Sequence, residues 1–462
     1  MRDPSFDASY IIWEWRQNGS RLIAGEAGGL TGELTAREYY GGDRKPALRK
    51  AIRLRHAVAL YASSVLGSGV LVLPGLAAKI AGPSSIIAWA LLSIASYPFA
   101  YTFASLSARR PESGGIYAFT REAFGARAGV VVGWLFAFWV MTGAPAVTLI
   151  AASYIGYAFP LNHAVTYLIA FGIIAAAFAI NYRGIVVSSR VQLAVISSIV
   201  ALLLATIAAS ALFVKPQNFH PFFPAGPLAV GAAAALIFWS YLGYENTSNV
   251  AEEFENPKKD FHRSIIFSVL LISFLYLAIA FVTIGTRAYE AGGSVAPFAV
   301  ILSNVLGRHA AEGTALLAVF IIFGTVNAYT TGVSRLLYAV AKDHGLPHTL
   351  SHLHSRTKVP DRILLGLLSS YAVVLVIYYF SRVDLETALL VPSGAAILVY
   401  VIGSAAGVRI LSRSKSLKNI ILPLSSLAVS IIVLPFIGPL LFASLLVVIG
   451  ALAYVFFISP KI

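Results

Sequence analysis

Long apolar segments recur along this chain, and their length constrains the fold more than any other feature. A helix needs about 20 apolar residues to cross the hydrocarbon core of a bilayer. Only 12% of the 462 residues are charged, which is about half the share of a soluble domain. The sequence therefore predicts an all-α integral membrane protein with about twelve transmembrane helices. The predicted segments lie at 57–81, 84–107, 128–159, 164–180, 185–214, 228–250, 264–286, 310–337, 363–380, 388–408, 419–437 and 440–458.

The basic residues predict how these helices are oriented. Most of the 34 Lys and Arg residues lie before the first helix, in alternate loops and after the last helix. Because cytoplasmic loops carry such an excess, we expect a multi-pass protein of the cell (plasma) membrane with both termini in the cytoplasm. The net charge of +14 then reflects topology and not a nucleic-acid partner. The opposite loops contain Lys79, Lys215, Arg287, Arg308 and Arg382.

The first apolar segment is interrupted near its middle. Gly67-Ser68-Gly69 lies within the stretch SSVLGSGVLVLP at 63–74. Each glycine costs about 1 kcal/mol relative to alanine in a helix, so two of them let the backbone leave the helix. Non-helical backbone at membrane depth is stable where protein or a water-filled cavity satisfies its N–H and C=O groups. The interruption indicates either a substrate site or a close helix contact through small residues.

The sixth apolar segment is interrupted as well. Residues 238–245 (FWSYLGYE) place polar groups, a glycine and a carboxylate inside a predicted span. If the first ten segments form two inverted sets of five, the first and sixth segments correspond, and paired interruptions of this kind point to a secondary transporter. We therefore expect a five-plus-five inverted repeat at 51–409 with broken helices 1 and 6. A soluble, basic-ended N-terminal extension at 1–50 precedes it, and two additional helices at 410–462 follow it.

Several motifs in series resemble the amino acid/polyamine/organocation (APC) transporters, specifically the amino acid permease type. The resemblance extends from about residue 53 to residue 361, and each motif occurs in the order and at the spacing of that family. The motifs are VLGSGVLVLPGLAAKIAG at 65–82, PESGGIYAFTREAFG at 111–125, NYRG at 181–184, EEFENPKKDFHRSI at 252–265 and SRLLYAVAKDHGLP at 334–347.

The resemblance implies a LeuT-like fold and a set of binding residues. In the family, amides at the first break hold the substrate carboxylate, and Ser68 and Gly69 occupy those positions. Free N–H groups and the positive end of a half-helix suit an anion. Carbonyl groups at the breaks hold the ammonium, at positions that match Val65, Trp239 and Leu242, and the aromatic ring at Trp239 covers the substrate. The implied site consists of Val65, Gly67, Ser68, Gly69, Trp239, Leu242 and Gly243. A packing or lipid-facing role is the alternative for Trp239.

Glu245 is the candidate for gating or ion coupling. A charged carboxylate inside a span costs roughly 2.5–3.5 kcal/mol on insertion scales, so such residues usually have a function. We expect Glu245 to act in proton coupling or in gating, the latter together with Trp239. Alternatively it remains hydrated in a vestibule, as we expect for Glu252 and Glu253.

Sodium coupling is the competing hypothesis. Some family members place a lysine in the fifth helix that substitutes for Na⁺, whereas this chain has Ile199 there. Ser198 and Thr325 could supply oxygen ligands for Na⁺, although such hydroxyls more often bond to their own helix. A metal site at His344, His348, His352 and His354 is less favoured than a solvated loop, because Pro347 interrupts any helix there. We expect no metal and no cofactor.

The polar groups near the breaks restrict the substrate. Glu245 is the one carboxylate there, and the segments 141–148 and 330–332 are apolar or small. Because a buried charge needs a partner, we expect a neutral, apolar amino acid substrate moved by alternating access, and no enzymatic activity. The alternatives are a polyamine or another organocation, an exported amino acid, and a transport-silent sensor or scaffold.

Overall fold

The computed structural model of the chain describes residues 52, 54–109, 114–159, 161–249, 253–255, 257–290, 293–414 and 416–458. The predicted extension at 1–50 lies outside these residues. The described part consists of α-helices, short 3₁₀ and π segments and an isolated β-bridge. The α-helices are α1 (Leu54–Val65), α2 (Ser68–Ala81), α3 (Ser85–Arg109), α4 (Gly115–Phe124), α5 (Ala126–Ala158), α6 (His163–Tyr182), α7 (Ile185–Ala211), α8 (Leu228–Phe238), α9 (Tyr244–Ser248), α10 (Pro257–Thr286), α11 (Pro297–Leu306), α12 (Arg308–Lys342), α13 (Asp361–Ser381), α14 (Leu385–Leu411), α15 (Leu417–Val433) and α16 (Leu441–Ala453).

Ten helical stretches of the described chain are long and apolar enough to cross a membrane, which confirms the predicted all-α membrane fold. Two of them, Ser68–Arg109 with 42 residues and Leu417–Phe457 with 41, have about twice the length that one crossing needs. Each contains a glycine with positive φ, 60° at Gly82 and 64° at Gly438, so the chain can turn there. The division into twelve crossings and the inverted repeat stay predictions.

Burial separates inner from outer helices. In the most apolar part of α5, 83% of the residues are buried. In the most apolar part of Leu417–Phe457, the stretch that contains α15 and α16, only 17% are buried. Helix α5 packs against α12 and α14. The broken pairs α1–α2 and α8–α9 pack against α3, α10 and α12, and α1 also packs against α7. Helix α15 packs against α14 and α3, and α16 packs against α5. The core of the molecule therefore lies around the two breaks, and α15 and α16 cover its outside.

The short helix α4 is fastened to the end of α12. Arg121 forms an ion pair with Asp343, and the Tyr117 hydroxyl donates a hydrogen bond to Asp343 Oδ2 at 3.0 Å. Burial, and then the charge of Asp343, raise the pKa of Tyr117 well above its ordinary value. Tyr117 therefore remains a hydrogen-bond donor at neutral pH, and α4 stays in place across one end of the helix bundle.

Candidate functional site

The first break lies between α1 and α2. Leu66 and Gly67 leave the helix there, with φ −63° and ψ −116° at Gly67. A Cβ atom at Gly67 would overlap the side chain of Thr325 in α12. The missing side chain at Gly67 therefore lets α12 approach the break and brings Thr325 to it.

The second break lies between α8 and α9. A 3₁₀ turn (Trp239–Tyr241) is followed by extended backbone at Leu242 and by Gly243, whose φ of 130° is accessible mainly to glycine. The Gly243 N–H is 2.9 Å from Glu245 Oε2 and 3.0 Å from the Tyr400 hydroxyl oxygen. Both oxygens accept from this N–H, so the protein itself satisfies a donor that the broken helix leaves free.

The two breaks contact each other directly. A Cβ atom at Gly69 would lie 2.9 Å from the Cα of Ser240. The hydroxyl oxygen of Tyr276, a fully buried residue of α10, lies 2.6 Å from the Val65 carbonyl oxygen and 2.9 Å from that of Ser240. The single O–H of Tyr276 is thus shared between carbonyl groups of both breaks and holds them close together.

Trp239 reaches from the second break to the first. Its indole Nε1–H donates to the Ser68 hydroxyl at 3.3 Å. The edge of the indole lies 3.2 Å from the point that a Cβ at Gly143 of α5 would occupy. Trp239 therefore stands against the third predicted span and faces the interior, not the lipid.

A cavity with an empty volume of about 430 Å³ lies between the breaks and α5. Of the residues that the sequence predicted, six line it: Val65, Ser68, Gly69, Trp239, Leu242 and Thr325. The other wall residues are Trp139, Val140, Gly143, Ala144, Val147, Val326 and Tyr329. Gly67, Gly243, Glu245 and Ser198 are not among them.

The cavity wall contains no charged side chain among the described residues. Its polar side-chain groups are the hydroxyls of Ser68, Thr325 and Tyr329 and the indole N–H groups, together with backbone groups of the breaks. Sequence reasoning missed Trp139 and Tyr329, whose rings contact edge to face at 5.4 Å. Helical spacing could have indicated Tyr329, because it lies one turn after Thr325. The wall can hold a neutral or zwitterionic molecule with an apolar part.

Glu245 lies behind this wall and is fully buried. Its Oε2 accepts from the Gly243 N–H and from the Tyr400 hydroxyl, while Oε1 has no hydrogen-bond partner within the described residues. The phenol groups of Tyr61 and Tyr329 are close enough to interact electrostatically with its carboxylate. Tyr329 also lines the cavity, so it is a neighbour of both the cavity and Glu245.

Comparisons with known proteins agree with this architecture. A family model described as amino acid permease matches residues 52–461. The chain belongs to the amino acid permease family. It is 34% identical to an uncharacterized amino acid permease, YecA, of Bacillus subtilis, over 80% of this chain and 87% of that protein. It is 31% identical to the L-methionine/branched-chain amino acid exporter YjeH of Escherichia coli, over 79% of this chain and 87% of that protein. It is 30% identical to the branched-chain amino acid permease BcaP of Bacillus subtilis, over 64% of this chain and 68% of that protein.

Membership of this permease family confirms the resemblance that the sequence motifs indicated, and it makes the chain a membrane protein of a family that transports amino acids. The names of the family and of these relatives are those of transporters and not of enzymes.

The expectation that Glu253 remains hydrated is wrong. Glu253 and Arg335 of α12 each expose 1% of their side chain, and Arg335 Nε is 3.1 Å from Glu253 Oε1. Adjacent to this ion pair, the backbone of Ile52 forms a parallel β-bridge with Phe254. The chain just before the first span is therefore fixed to the segment after α9. Glu252 lies outside the described residues.

The predicted sodium ligands do not meet at the cavity. The Ser198 hydroxyl donates to the Ala194 carbonyl of its own helix at 3.1 Å, and Ser198 is partly exposed. The neighbouring Ile199 is fully buried. Thr325 lines the cavity and donates to the Ile321 carbonyl at 3.3 Å. Thr325 therefore lies at the site, whereas Ser198 does not line the cavity.

The NYRG motif of the permease fastens α6 to α12. Asn181 Nδ2 donates to Asn327 Oδ1 at 2.8 Å, and the Thr331 hydroxyl donates to Asn181 Oδ1 at 2.6 Å. On the same helix, Gly332 leaves room for Asn246, whose Nδ2 donates to the Ala328 carbonyl at 3.1 Å. These buried bonds fix α12 between α6 and the second break, so the motif supports the site without contacting it.

The four histidines after α12 show no arrangement for a metal. Among the described residues, no three His, Asp or Glu side chains form a group that could hold a metal ion. His344 and His348 stack at 5.6 Å, and His352 pairs with Asp361 at 2.8 Å.

Proposed function

We propose that this permease moves neutral, apolar amino acids across the cell membrane by alternating access, with the substrate bound between the two helix breaks. The observation that carries the proposal is the cavity on which both breaks converge. Its wall combines backbone polar groups with apolar side chains and contains no charged side chain among the described residues. Such a site can bind the two charges of an amino acid backbone without a charged residue.

The proposed pose assigns each end of the substrate to one kind of group. The α-carboxylate accepts from the N–H groups of Ser68 and Gly69 at the beginning of α2, where free amides and the helix dipole favour an anion. The α-ammonium donates to carbonyl groups of Val65, Trp239 and Leu242. A carbonyl oxygen has two lone pairs, so Val65 can accept from the ammonium while Tyr276 remains bonded to it.

The substrate side chain then points toward α5, where Gly143, Ala144 and Val147 form the wall. A cationic side chain would need a carboxylate at this position, and the cavity wall supplies none within the described residues. The relatives named for methionine and branched-chain amino acids are consistent with such a substrate. Leucine, methionine, isoleucine and valine are therefore the first candidates.

For coupling, we propose that Glu245 takes up and releases a proton as the breaks rearrange. It is the carboxylate closest in sequence to the second break, and its Oε2 accepts a hydrogen bond from the Gly243 N–H of that break. A movement at Gly243 therefore changes the hydrogen bonding of the carboxylate. Sodium binding near Thr325 is the rival scheme.

The experiment measures binding and then transport. Purified full-length protein is screened by thermal shift against the common amino acids, because a ligand that binds the folded state raises stability by RT ln(1 + [L]/Kd). Ligands that raise the melting temperature are then tested for uptake and for counterflow in proteoliposomes. We expect neutral apolar amino acids to be the strongest ligands and to exchange across the membrane.

Tighter binding of arginine or a polyamine than of every neutral amino acid would refute the substrate class. Binding without uptake, efflux or exchange would instead indicate a transport-silent sensor. Efflux that exceeds uptake under substrate gradients of the same size would assign the export direction. The relative YjeH is named an exporter.

A further inference from the structure

A second cavity lies away from the breaks, in a groove between α5 and α13. It has an empty volume of about 670 Å³, and its wall includes Trp134 and Met141 of α5 and Arg362, Gly366 and Ser370 of α13. Arg362 and Ser370 are eight residues apart, so the groove follows α13 for about 12 Å. Both helices are candidate membrane spans. The long axis of the groove therefore runs along the spans.

The groove is apolar except at one end. Arg362 is the charged residue of its wall, and this residue is exposed. Its Nη1 donates to the Thr349 carbonyl at 3.0 Å, the one hydrogen bond that the described part of the chain gives this guanidinium. A guanidinium has five N–H donors, so most of them remain available to a ligand.

Along the chain, the residues that precede this end are predominantly basic. The loop before α13 exposes Arg356 and Lys358. The nearest acidic residue along the chain, Asp361, is already paired with His352 at 2.8 Å. The open end of the groove therefore favours an anion, and the apolar wall along the rest of the groove favours an apolar chain.

The groove is open toward the outside of the helix bundle. Gly366 is exposed, and a Cβ atom there would meet no heavy atom within 4 Å. Trp134 exposes 37% of its surface. In a bilayer these two residues face acyl chains, so a lipid can enter the groove sideways.

We propose that this groove is a binding site for an anionic phospholipid, with the headgroup phosphate on Arg362 and one acyl chain along α5 and α13. Basic pockets between membrane helices bind anionic headgroups for the same electrostatic reason, and each basic residue near an anionic surface contributes about a fivefold preference. The site is independent of the amino acid cavity at the breaks.

The test uses fluorescence quenching of the full-length protein in vesicles. Phosphatidylglycerol with brominated acyl chains is mixed into phosphatidylcholine, and a second series brominates phosphatidylcholine instead. Subtracting the fluorescence of the Trp134→Phe variant from that of the unmodified protein gives the fluorescence of Trp134 without that of the other five tryptophans. We expect half-maximal quenching of Trp134 at a several-fold lower fraction of brominated phosphatidylglycerol than of brominated phosphatidylcholine.

Two variants address the two parts of the site. Arg362→Gln should reduce the preference for phosphatidylglycerol about fivefold, and Gly366→Leu should fill the groove and reduce quenching by either lipid. Gly172→Leu is the matched control, because Gly172 of α6 is also exposed with no heavy atom within 4 Å of an added Cβ. It should leave quenching unchanged.

Three results would overturn the proposal. They are equal quenching by the two lipids in the unmodified protein, an unchanged lipid preference in Arg362→Gln together with unchanged quenching in Gly366→Leu, and loss of the preference on adding millimolar inorganic phosphate. The last result would identify a simple anion site and not a lipid site.

Discussion

The hydroxyl of Tyr276 holds the two breaks together, and its removal is the most direct test of the site. Tyr276→Phe keeps the buried ring and deletes one oxygen, which lies 2.6 Å from the Val65 carbonyl and 2.9 Å from the Ser240 carbonyl. Val65 is the last residue of α1 and Ser240 lies in the 3₁₀ turn after α8, so both carbonyl groups lie where the α-helix stops. They cannot recover this bond within their own helix.

The size of the effect follows from the hydrogen bonds that are lost. A neutral hydrogen bond contributes about 0.5–1.5 kcal/mol net, and leaving a buried acceptor unsatisfied costs about 1–3 kcal/mol. We therefore expect Tyr276→Phe to lower the free energy of unfolding by about 1–3 kcal/mol. Because the proposed substrate site needs the breaks at a fixed separation, we also expect substrate affinity to fall about fivefold, which corresponds to about 1 kcal/mol.

The assay is thermal unfolding of the full-length protein over a substrate titration. Tyr154→Phe is the matched control: Tyr154 is fully buried, and its hydroxyl donates to the Leu71 carbonyl of the same broken span at 2.6 Å, outside the cavity wall. Both variants should lose stability, but only Tyr276→Phe should bind substrate more weakly. Equal affinities in the two variants would refute the idea that Tyr276 positions the site.

Three further predictions concern orientation, substrate contact and coupling. A single cysteine at Lys215 should react with an impermeant reagent from outside and one at Lys358 only after permeabilisation; reversed labelling would invert the predicted topology. Ser68→Trp should reduce substrate binding in a thermal-shift titration by at least tenfold while the protein stays folded, because Ser68 lines the cavity; retained affinity would exclude the proposed carboxylate site. Transport should depend on pH between roughly 5 and 7, and Glu245→Gln should flatten that profile without loss of binding. An absolute Na⁺ requirement with an unaltered profile in the variant would exclude proton coupling.

The structure changes how glycine substitutions at the first break are interpreted. The sequence suggests Gly69→Trp as a test of substrate contact equivalent to Ser68→Trp. However, any side chain at Gly69 meets the backbone of Ser240, and one at Gly67 meets Thr325. Loss of binding in Gly69→Trp would therefore reflect packing of the breaks as well as substrate contact. Ser68 lies in the same turn, and its side chain already forms part of the cavity wall beside Trp239, so Ser68→Trp acts on the cavity and not on the backbone contact between the breaks.

The sequence predicted the breaks because glycine and polar residues inside an apolar span are local signals. Gly67, Gly69 and Gly243 are destabilising in a helix, and no other part of the chain is needed to recognise them. The membrane fold and the family likewise follow from segment lengths and local motifs. These predictions were confirmed at the level of an all-α membrane protein of the amino acid permease family.

The partners of the breaks could not be predicted in the same way. Tyr276 and Tyr400 lie in helices that are apolar around their whole circumference, so no hydrophobic stripe shows which side faces the core. Glu245 and Tyr400 are 155 residues apart, and their meeting depends on how α14 packs on α9. The burial of Glu253 could not be predicted for the same reason, since its partner Arg335 is 82 residues away along the chain.

The broken helices and the tyrosines around them form one hydrogen-bonded unit. A break frees N–H and C=O groups that must be satisfied inside the membrane. Tyr276 satisfies carbonyl groups of both breaks, and Tyr400 accepts from Gly243 while it donates to Glu245. The groups that remain on the cavity side are then the ones that a substrate can bind. Under the proposed mechanism, a movement of one break that opens the cavity would also rearrange a tyrosine hydroxyl, and substrate release would then be coupled to the carboxylate of Glu245 through the hydrogen-bond network and not through direct contact.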